Sequence, residues 1–235
     1  MPTIRSPFLR GCVASAPFVI VVVPFALLFG VVATEAGLDV LQVMLFSFSV
    51  FAGASQFAAV QLMQDQAPVL IVLATSLAVN LRMVMYSVAM APHLGAASFG
   101  TRALMAYFLV DQSFAASQLE FDRRPDQPLT DKVAFFFGTV APIAPLWFAA
   151  TFAGAVLGEA IPKDYALDFA VPITFLAICA PMLRSIPHVV AAAVSIVAAL
   201  ALSGLPYGTG LLIAAVLAMA AGAGAEVALT QRRGA

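Results

Sequence analysis

Charged residues are scarce in this sequence. Only 10% of its 235 residues are Asp, Glu, Lys or Arg, whereas 63% are hydrophobic, and the mean hydropathy is +1.02. A chain of this length and composition has too little polar surface to cover a soluble globule, which indicates an integral membrane protein. The formal net charge of -1 provides no basic patch, so nucleic acid is excluded as a partner.

Residues that carry common catalytic and metal chemistry are also rare. The chain contains two histidines and two cysteines, Cys12 and Cys179, which lie in or beside apolar runs without CxxC spacing. This pattern favours free, buried thiols over a disulfide or a metal site. The sequence has no phosphate-binding P-loop, no HExxH helix and no nucleophile elbow. It therefore predicts neither an ATP-driven pump nor a membrane hydrolase, and it implies no enzyme activity, metal or cofactor.

The chain does contain a series of apolar runs, each of roughly 17 to 25 residues, the length that a spanning helix needs. They show no sustained period-2 alternation, which excludes a barrel. We expect an all-α, polytopic membrane helix bundle of about eight spans, with seven as the alternative because one short run resembles a re-entrant segment. The runs occupy residues 12–34, 39–63, 68–92, 102–120, 133–157, 166–184, 187–203 and 209–229.

The polar segment 120–132, EFDRRPDQPLTDK, divides the apolar runs near the middle of the chain. We interpret it as a cytoplasmic loop between two four-span halves of a single transporter domain, residues 1–235. With both termini cytoplasmic, eight spans place most Lys and Arg residues inside and only Arg102 and Lys163 outside, as the positive-inside rule favours. A faint similarity between residues 37–39 and 166–168 is too weak to establish a repeat.

Prolines inside the runs favour kinked or broken helices, since proline removes a backbone donor, while for any single proline ordinary helix packing is the preferred interpretation. In the second run, Gly53, Ser55 and Gln56 favour an interrupted helix whose free N–H groups suit a carboxylate. A small-residue packing face, with Gln56 bonded to a neighbouring helix, is the equal alternative. The prolines inside runs are Pro17, Pro24, Pro142, Pro145, Pro172 and Pro181.

Arg82 lies near the middle of the third run. A charge at that depth costs roughly 2.5 to 3.5 kcal/mol on insertion scales, so it normally faces a partner or a water-filled cavity. Asp111, at comparable depth in the next run, is the predicted partner. The pair either forms part of a transport site or is a structural ion pair, which is often close to neutral for stability.

Further polar residues accompany this pair. Asn80 and Tyr86 share the third run with Arg82, and Gln112 follows Asp111. His93 is expected at the outer interface, where a solvated histidine is the ordinary outcome. Asp168, near the start of the sixth run, is a weaker candidate for facing the cavity.

Several short motifs in this order resemble the AzlC family, the large subunits of bacterial branched-chain amino acid exporters. The resemblance covers nearly the whole chain, although Met83–Met85 replaces the histidine-containing versions associated with the family. The motifs are GASQF at 53–57, NLR at 80–82, APHL at 91–94, DQSFA at 111–115, LDFA at 167–170 and LPYG at 205–208.

The resemblance implies a transporter in the bacterial inner membrane that works with a small AzlD-like membrane subunit. We expect it to export Leu, Ile and Val, with Met as a further candidate, and to be driven by protons. Arg82 and the interrupted helix at Ser55 and Gln56 would bind the substrate carboxylate, while Asp111 would bind the ammonium group or the proton. The alternatives are an uncoupled channel for small solutes and a structural subunit of a transporter complex.

Overall fold

A computed structural model of the chain describes residues 6–160, 183, 185–205 and 209–233. Regular structure in these residues is entirely helical, which confirms the predicted all-α class. A 3₁₀ turn at Ala16–Phe18 joins the first two helices. In chain order the helices are α1 (Pro7–Ser15), α2 (Val19–Glu35), α3 (Val40–Ser49), α4 (Gly53–Gln64), α5 (Val69–Leu94), α6 (Phe99–Tyr107), α7 (Asp111–Arg123), α8 (Leu129–Ala160), α9 (Ile186–Ala201) and α10 (Thr209–Arg233).

Four described segments are long and apolar enough to cross a membrane: Pro7–Glu35, Val69–Leu94, Leu129–Gly158 and Thr209–Gln231. Helix α9 is apolar but shorter. Many large hydrophobic side chains on these helices are exposed, as expected where lipid covers them. The protein is therefore a membrane helix bundle. Of the predicted run at 166–184, only Leu183 lies within the described residues.

Two of the predicted runs are not single helices. The run at 39–63 is divided into α3 and α4 by residues 50–52, and the run at 102–120 is divided into α6 and α7 by residues 108–110. Neither interruption contains a proline. Each of these four helices is about half as long as a spanning helix needs to be.

Three of the prolines lie inside continuous helices, as the packing interpretation preferred for a single proline expects. Helix α2 continues through Pro24, and α8 continues through Pro142 and Pro145. Each proline removes one backbone donor, and α2 and α8 pack closely against one another. Pro17 does coincide with the 3₁₀ turn, and Pro172 and Pro181 lie outside the described residues.

The chain forms two compact units, residues 1–60 with 76–163 and residues 61–75 with 164–235. In the first unit, α1 and α2 pack side by side with α8 and run in the same direction. Gly11 lies against Gly138, and Gly30 lies against Gly154. Small residues allow backbones to approach this closely in membranes. In the second unit, α9 packs on α10, where Gly222 faces Ala191.

Helices α3 and α4 form a hairpin in the first unit. Helix α3 begins just after α2 ends, and by Ser47 it has reached Trp147 near the middle of α8. The chain then reverses, because Phe57 of α4 packs on Phe29, back toward the C-terminal end of α2. The hairpin therefore enters and leaves at the same end of the unit, with its tip at residues 50–52.

Helices α6 and α7 form a second hairpin, which enters from the opposite end. Along α5, Arg82 pairs with Asp111 at the start of α7, while His93 packs against Phe121 near the end of α7. Helix α7 therefore runs in the same direction as the second half of α5. Since α6 starts just after α5 ends, it must run inward and reverse at residues 108–110.

The glycine contacts between α2 and α8 generate a stability prediction. A Cβ atom on Gly154 would overlap the carbonyl oxygen of Leu27, which is backbone and has little freedom to move. We expect Gly154→Ala to reduce the free energy of unfolding by about 1–3 kcal/mol. Thermal unfolding in detergent measures this change.

The matched control is Gly224→Ala on α10, where a Cβ atom meets nothing within 4 Å. This substitution should leave the unfolding temperature unchanged or raise it, because alanine favours helix more than glycine. Equal unfolding temperatures for both variants would contradict the glycine packing.

Candidate functional site

The tips of the two hairpins meet inside the first unit. The ring of Phe51 lies edge-on to that of Phe108, with centroids 5.5 Å apart. The hydroxyl of Tyr107 donates a hydrogen bond to the carbonyl oxygen of Phe48 at 2.6 Å. Phe51 also packs on Trp147, with centroids 5.9 Å apart. Transporters commonly build their sites where discontinuous helices come together in this way.

A polar side chain bonds the backbone at the first interruption: the side-chain amide of Gln56 donates to the carbonyl oxygen of Val50 at 2.7 Å. The neighbouring Ser55 hydroxyl donates to the carbonyl oxygen of Ser76 on α5 at 3.2 Å. The predicted interruption of the second run is therefore confirmed. The interruption lies one turn earlier than expected, because Gly53 is already the first residue of α4. The Cα of Gly53 faces the rings of Phe25 and Trp147.

Ser113 has the corresponding role at the second interruption. Its hydroxyl accepts a hydrogen bond from the backbone N–H of Val110 at 2.9 Å and lies 2.9 Å from the carbonyl oxygen of Phe108. A serine at this position satisfies a backbone donor that the helix start leaves free. Sequence interpretation missed this residue, because the fourth run contains no proline or glycine that predicts a break.

An internal repeat of 57 positions relates the two hairpins. FAAVQL at 57–62 matches FAASQL at 114–119, and Phe51 corresponds to Phe108. The ring contact between Phe29 and Phe57 has its equivalent between Tyr86 and Phe114. This repeat was visible in the sequence and was missed. The similarity noted at 166–168 falls outside the described residues.

The predicted partnership of Arg82 and Asp111 is confirmed. Arg82 Nη1 lies 3.0 Å from Asp111 Oδ2. The hydroxyl of Tyr86 donates to Asp111 Oδ1 at 2.9 Å, and its ring stacks on Phe114 with centroids 4.2 Å apart. Asp111 is the first residue of α7 rather than mid-helix, and a helix N-terminus favours a carboxylate. The side chains of Arg82 and Asp111 are 30% and 38% exposed, so the pair is not sealed in the core.

Three polar atoms near the hairpin tips have no hydrogen-bond partner among the described residues. They are Gln56 Oε1, Asn80 Oδ1 and Arg82 Nε, and all three are buried. A buried group without a partner costs about 1–3 kcal/mol, so each one requires an explanation such as a ligand or water. Gln112, which follows Asp111 in the sequence, is half-buried in the first turn of α7.

Among the remaining candidates, His93 lies away from the hairpin tips. His93 is half-buried, with its ring 5.2 Å from that of Phe121, and it lies about 16 Å along α5 from Arg82. Asp168 and Cys179 fall outside the described residues. Cys12 is a free, half-buried thiol. Within the described part of the chain, no group of three His, Cys, Asp or Glu side chains is placed to bind a metal.

The polar segment at 120–132 is mostly helical, with only residues 124–128 between α7 and α8. Glu120 does not extend into solvent as expected for a loop residue. Its Oε1 atom lies 3.0 Å from Arg10 Nη2 and accepts from the Gln127 side chain at 3.1 Å. This ion pair ties the start of α1 to the end of α7.

Two serine-to-alanine variants of α7 test the hydrogen bond that Ser113 makes at the second interruption. Ser113→Ala removes the acceptor for the Val110 N–H and leaves that partly buried donor unpaired, which costs up to about 1–3 kcal/mol. Ser117→Ala removes a buried hydroxyl that has no hydrogen-bond partner in the described structure. Unfolding in detergent should show a loss of stability for the first variant and none for the second. Equal effects would show that Ser113 does not hold the hairpin tip.

The sequence profile of the AzlC protein family matches residues 17–161. The chain is 29% identical over 178 residues to "Inner membrane protein YgaZ" of Escherichia coli K12, covering 72% of this chain and 70% of that protein. It is 31% identical over 181 residues to an uncharacterized membrane protein of Archaeoglobus fulgidus, covering 75% of this chain and 76% of that protein. No solved structure matches.

Proposed function

The chain belongs to the AzlC protein family, and from this premise we propose that it is a secondary transporter that exports branched-chain amino acids. The observation that carries the proposal is the Arg82–Asp111 ion pair. It lies at the middle of α5 and at the N-terminus of a half-length helix, where opposing hairpins meet. Charges at such depth are rare in membrane proteins and concentrate in transport pathways.

The proposed substrates are Leu, Ile and Val, with Met as a further candidate. Each is a zwitterion with an apolar side chain. The substrate carboxylate binds Arg82, whose Nε is buried and has no partner among the described residues. A guanidinium presents several donors in one plane, so it accommodates a second carboxylate beside Asp111. The aromatic rings at the hairpin tips supply an apolar surface for the side chain.

Proton coupling is assigned to Asp111. Its single carboxylate takes either a proton or the substrate ammonium group. Because each displaces the other, proton entry and amino acid release run in opposite directions, as export driven by an inward proton gradient requires. Tyr86 holds the carboxylate in place through its hydroxyl. A small AzlD-like membrane subunit is proposed as the partner.

Transport by reconstituted protein tests the roles of the ion pair. In proteoliposomes containing the small subunit, Arg82→Gln should abolish leucine transport because the carboxylate site is lost. Asp111→Asn should abolish accumulation driven by a pH gradient while leucine still equilibrates down its own gradient. An inserted Arg82→Gln protein that transports leucine at the wild-type rate would refute the assignment.

Arg10 and Glu120 provide the matched control, because they form an ion pair of the same 3.0 Å length away from the hairpin tips. Arg10→Gln and Glu120→Gln should retain pH-driven accumulation. Wild-type protein that only equilibrates leucine would indicate the uncoupled channel instead. Full transport by the small subunit without this chain would indicate a structural role.

The hairpins also revise the expected membrane topology. Arg102 hydrogen-bonds to the carbonyl of Gly95, and His93 and the end of α7 lie at the same end of the unit. The cations at this end are Arg10, Arg102, Arg123, Arg124 and Lys132. We infer that this end and the N-terminus face the cytoplasm, which places Arg102 inside rather than outside.

Cysteine labelling from each side of the membrane tests this topology. In a background with Cys12 and Cys179 replaced, Ala96→Cys and Asp126→Cys should react from the cytoplasmic side and Ala36→Cys from the opposite side. Eight continuous spans would instead put residues 96 and 126 on opposite sides. Labelling of those two positions from different sides would therefore exclude the second hairpin.

A further inference from the structure

Two buried side-chain carbonyl oxygens of the first unit, on Gln56 and Asn80, are not used by the Arg82–Asp111 pair. Gln56 is 0% exposed, and its Nε2 donates to Val50, which fixes the amide over residues 50–52. Its Oε1 has no hydrogen-bond partner within the described structure. The equivalent residue in the second hairpin, Ser113, has its hydroxyl fully engaged. The missing partner is therefore specific to the first hairpin.

Asn80 lies on α5, one helical turn beyond the residue that α4 contacts. Ser55, which precedes Gln56, donates to the carbonyl oxygen of Ser76. In a helix the carbonyl of residue 76 points toward the residue four positions later, which is Asn80. The side chains of Ser76 and Asn80 therefore lie on the same face of α5. Asn80 Oδ1 is buried and has no partner among the described residues.

Both unpaired atoms are acceptors, so the missing group must be a hydrogen-bond donor or a cation. Transporters use carbonyl oxygens of unwound helix backbone as ligands for small cations, and the side-chain carbonyl oxygens of Asn and Gln are neutral oxygen ligands of the same kind. We propose that Gln56 Oε1 and Asn80 Oδ1 form a subsite for a small monovalent cationic group, either a free sodium ion or the ammonium group of the substrate. The sodium alternative is independent of the proposed transport function, whereas the ammonium alternative rests on it.

Asn80 is the residue to change, because Gln56 also holds the hairpin tip. Asn80→Leu removes the oxygen at similar volume, whereas Asn80→Asp retains an oxygen at the same position. Ser76→Ala is the matched control, because it lies on the same face of α5 and keeps the carbonyl that Ser55 contacts. All three are made in the full chain.

The first measurement omits substrate. Thermal stability of the wild type in detergent is titrated with NaCl against choline chloride. If sodium is the ligand, it stabilises the wild type, Ser76→Ala and Asn80→Asp, and Asn80→Leu loses the shift.

The second measurement uses leucine and two analogues. Isoamylamine lacks the carboxylate, and 4-methyl-2-oxopentanoate lacks the ammonium group. If the ammonium is the ligand, Asn80→Leu weakens binding of leucine and isoamylamine by at least about tenfold and leaves the oxo acid unchanged.

The outcomes separate the two proposals. An Asn80→Leu variant with the wild-type sodium response and wild-type affinities overturns the cation subsite, while leucine transport by the wild type still stands. If Asn80→Leu weakens the binding of isoamylamine and 4-methyl-2-oxopentanoate equally, the cation subsite is also overturned, because the oxo acid has no cationic group. Wild-type protein that responds to sodium but binds no leucine supports the subsite and refutes the transported substrate.

Discussion

A helix that stops halfway across a membrane leaves backbone groups that neither lipid nor water satisfies, and the first unit of this protein is built around two such stops. The solution is the same at both. A side chain from the first turn of the returning helix bonds the backbone of the interruption, Gln56 at Val50 and Ser113 at Val110. The two residues occupy equivalent positions of the 57-residue repeat. Since a lost partner costs more than the bond itself contributes, these positions permit few substitutions.

The repeat conserves the backbone arrangement but not the chemistry. Arg82 corresponds to Phe25, and Asp111 corresponds to Ala54. One hairpin therefore meets α5 through an ion pair, while the other meets α2 through aromatic rings, including that of Phe57 4.8 Å from Phe25. A bundle with one charged and one apolar side accords with the proposed substrates, which have a zwitterionic head and an apolar side chain.

Glycine contacts supply the scaffold that holds the hairpins. The parallel pair of α1–α2 and α8 packs backbone against backbone at Gly11, Gly138 and Gly154, leaving no room for side chains to rearrange. The hairpin tips instead contact one another through rings and single hydrogen bonds such as that of Tyr107. Rings and side-chain bonds rearrange more easily than backbone contacts, so movement in this unit is expected at the hairpins rather than in the glycine interface.

The sequence by itself determined the class of protein and the identity of the main charged pair. Hydrophobic content and run length are properties of composition, and an arginine at mid-membrane depth requires a partner wherever the chain folds, so Asp111 was predictable from its depth. Local residues also indicated the family, and they left the interruption near Gly53 and a small-residue packing face as equal alternatives.

Only the tertiary structure decided that two apolar runs reverse instead of crossing. Run length does not distinguish a spanning helix from two half helices, because the distinction depends on which partners satisfy the interrupted backbone. Those partners, among them Ser113 and the Tyr107–Phe48 bond, come from side chains and neighbouring segments whose positions depend on the folded chain.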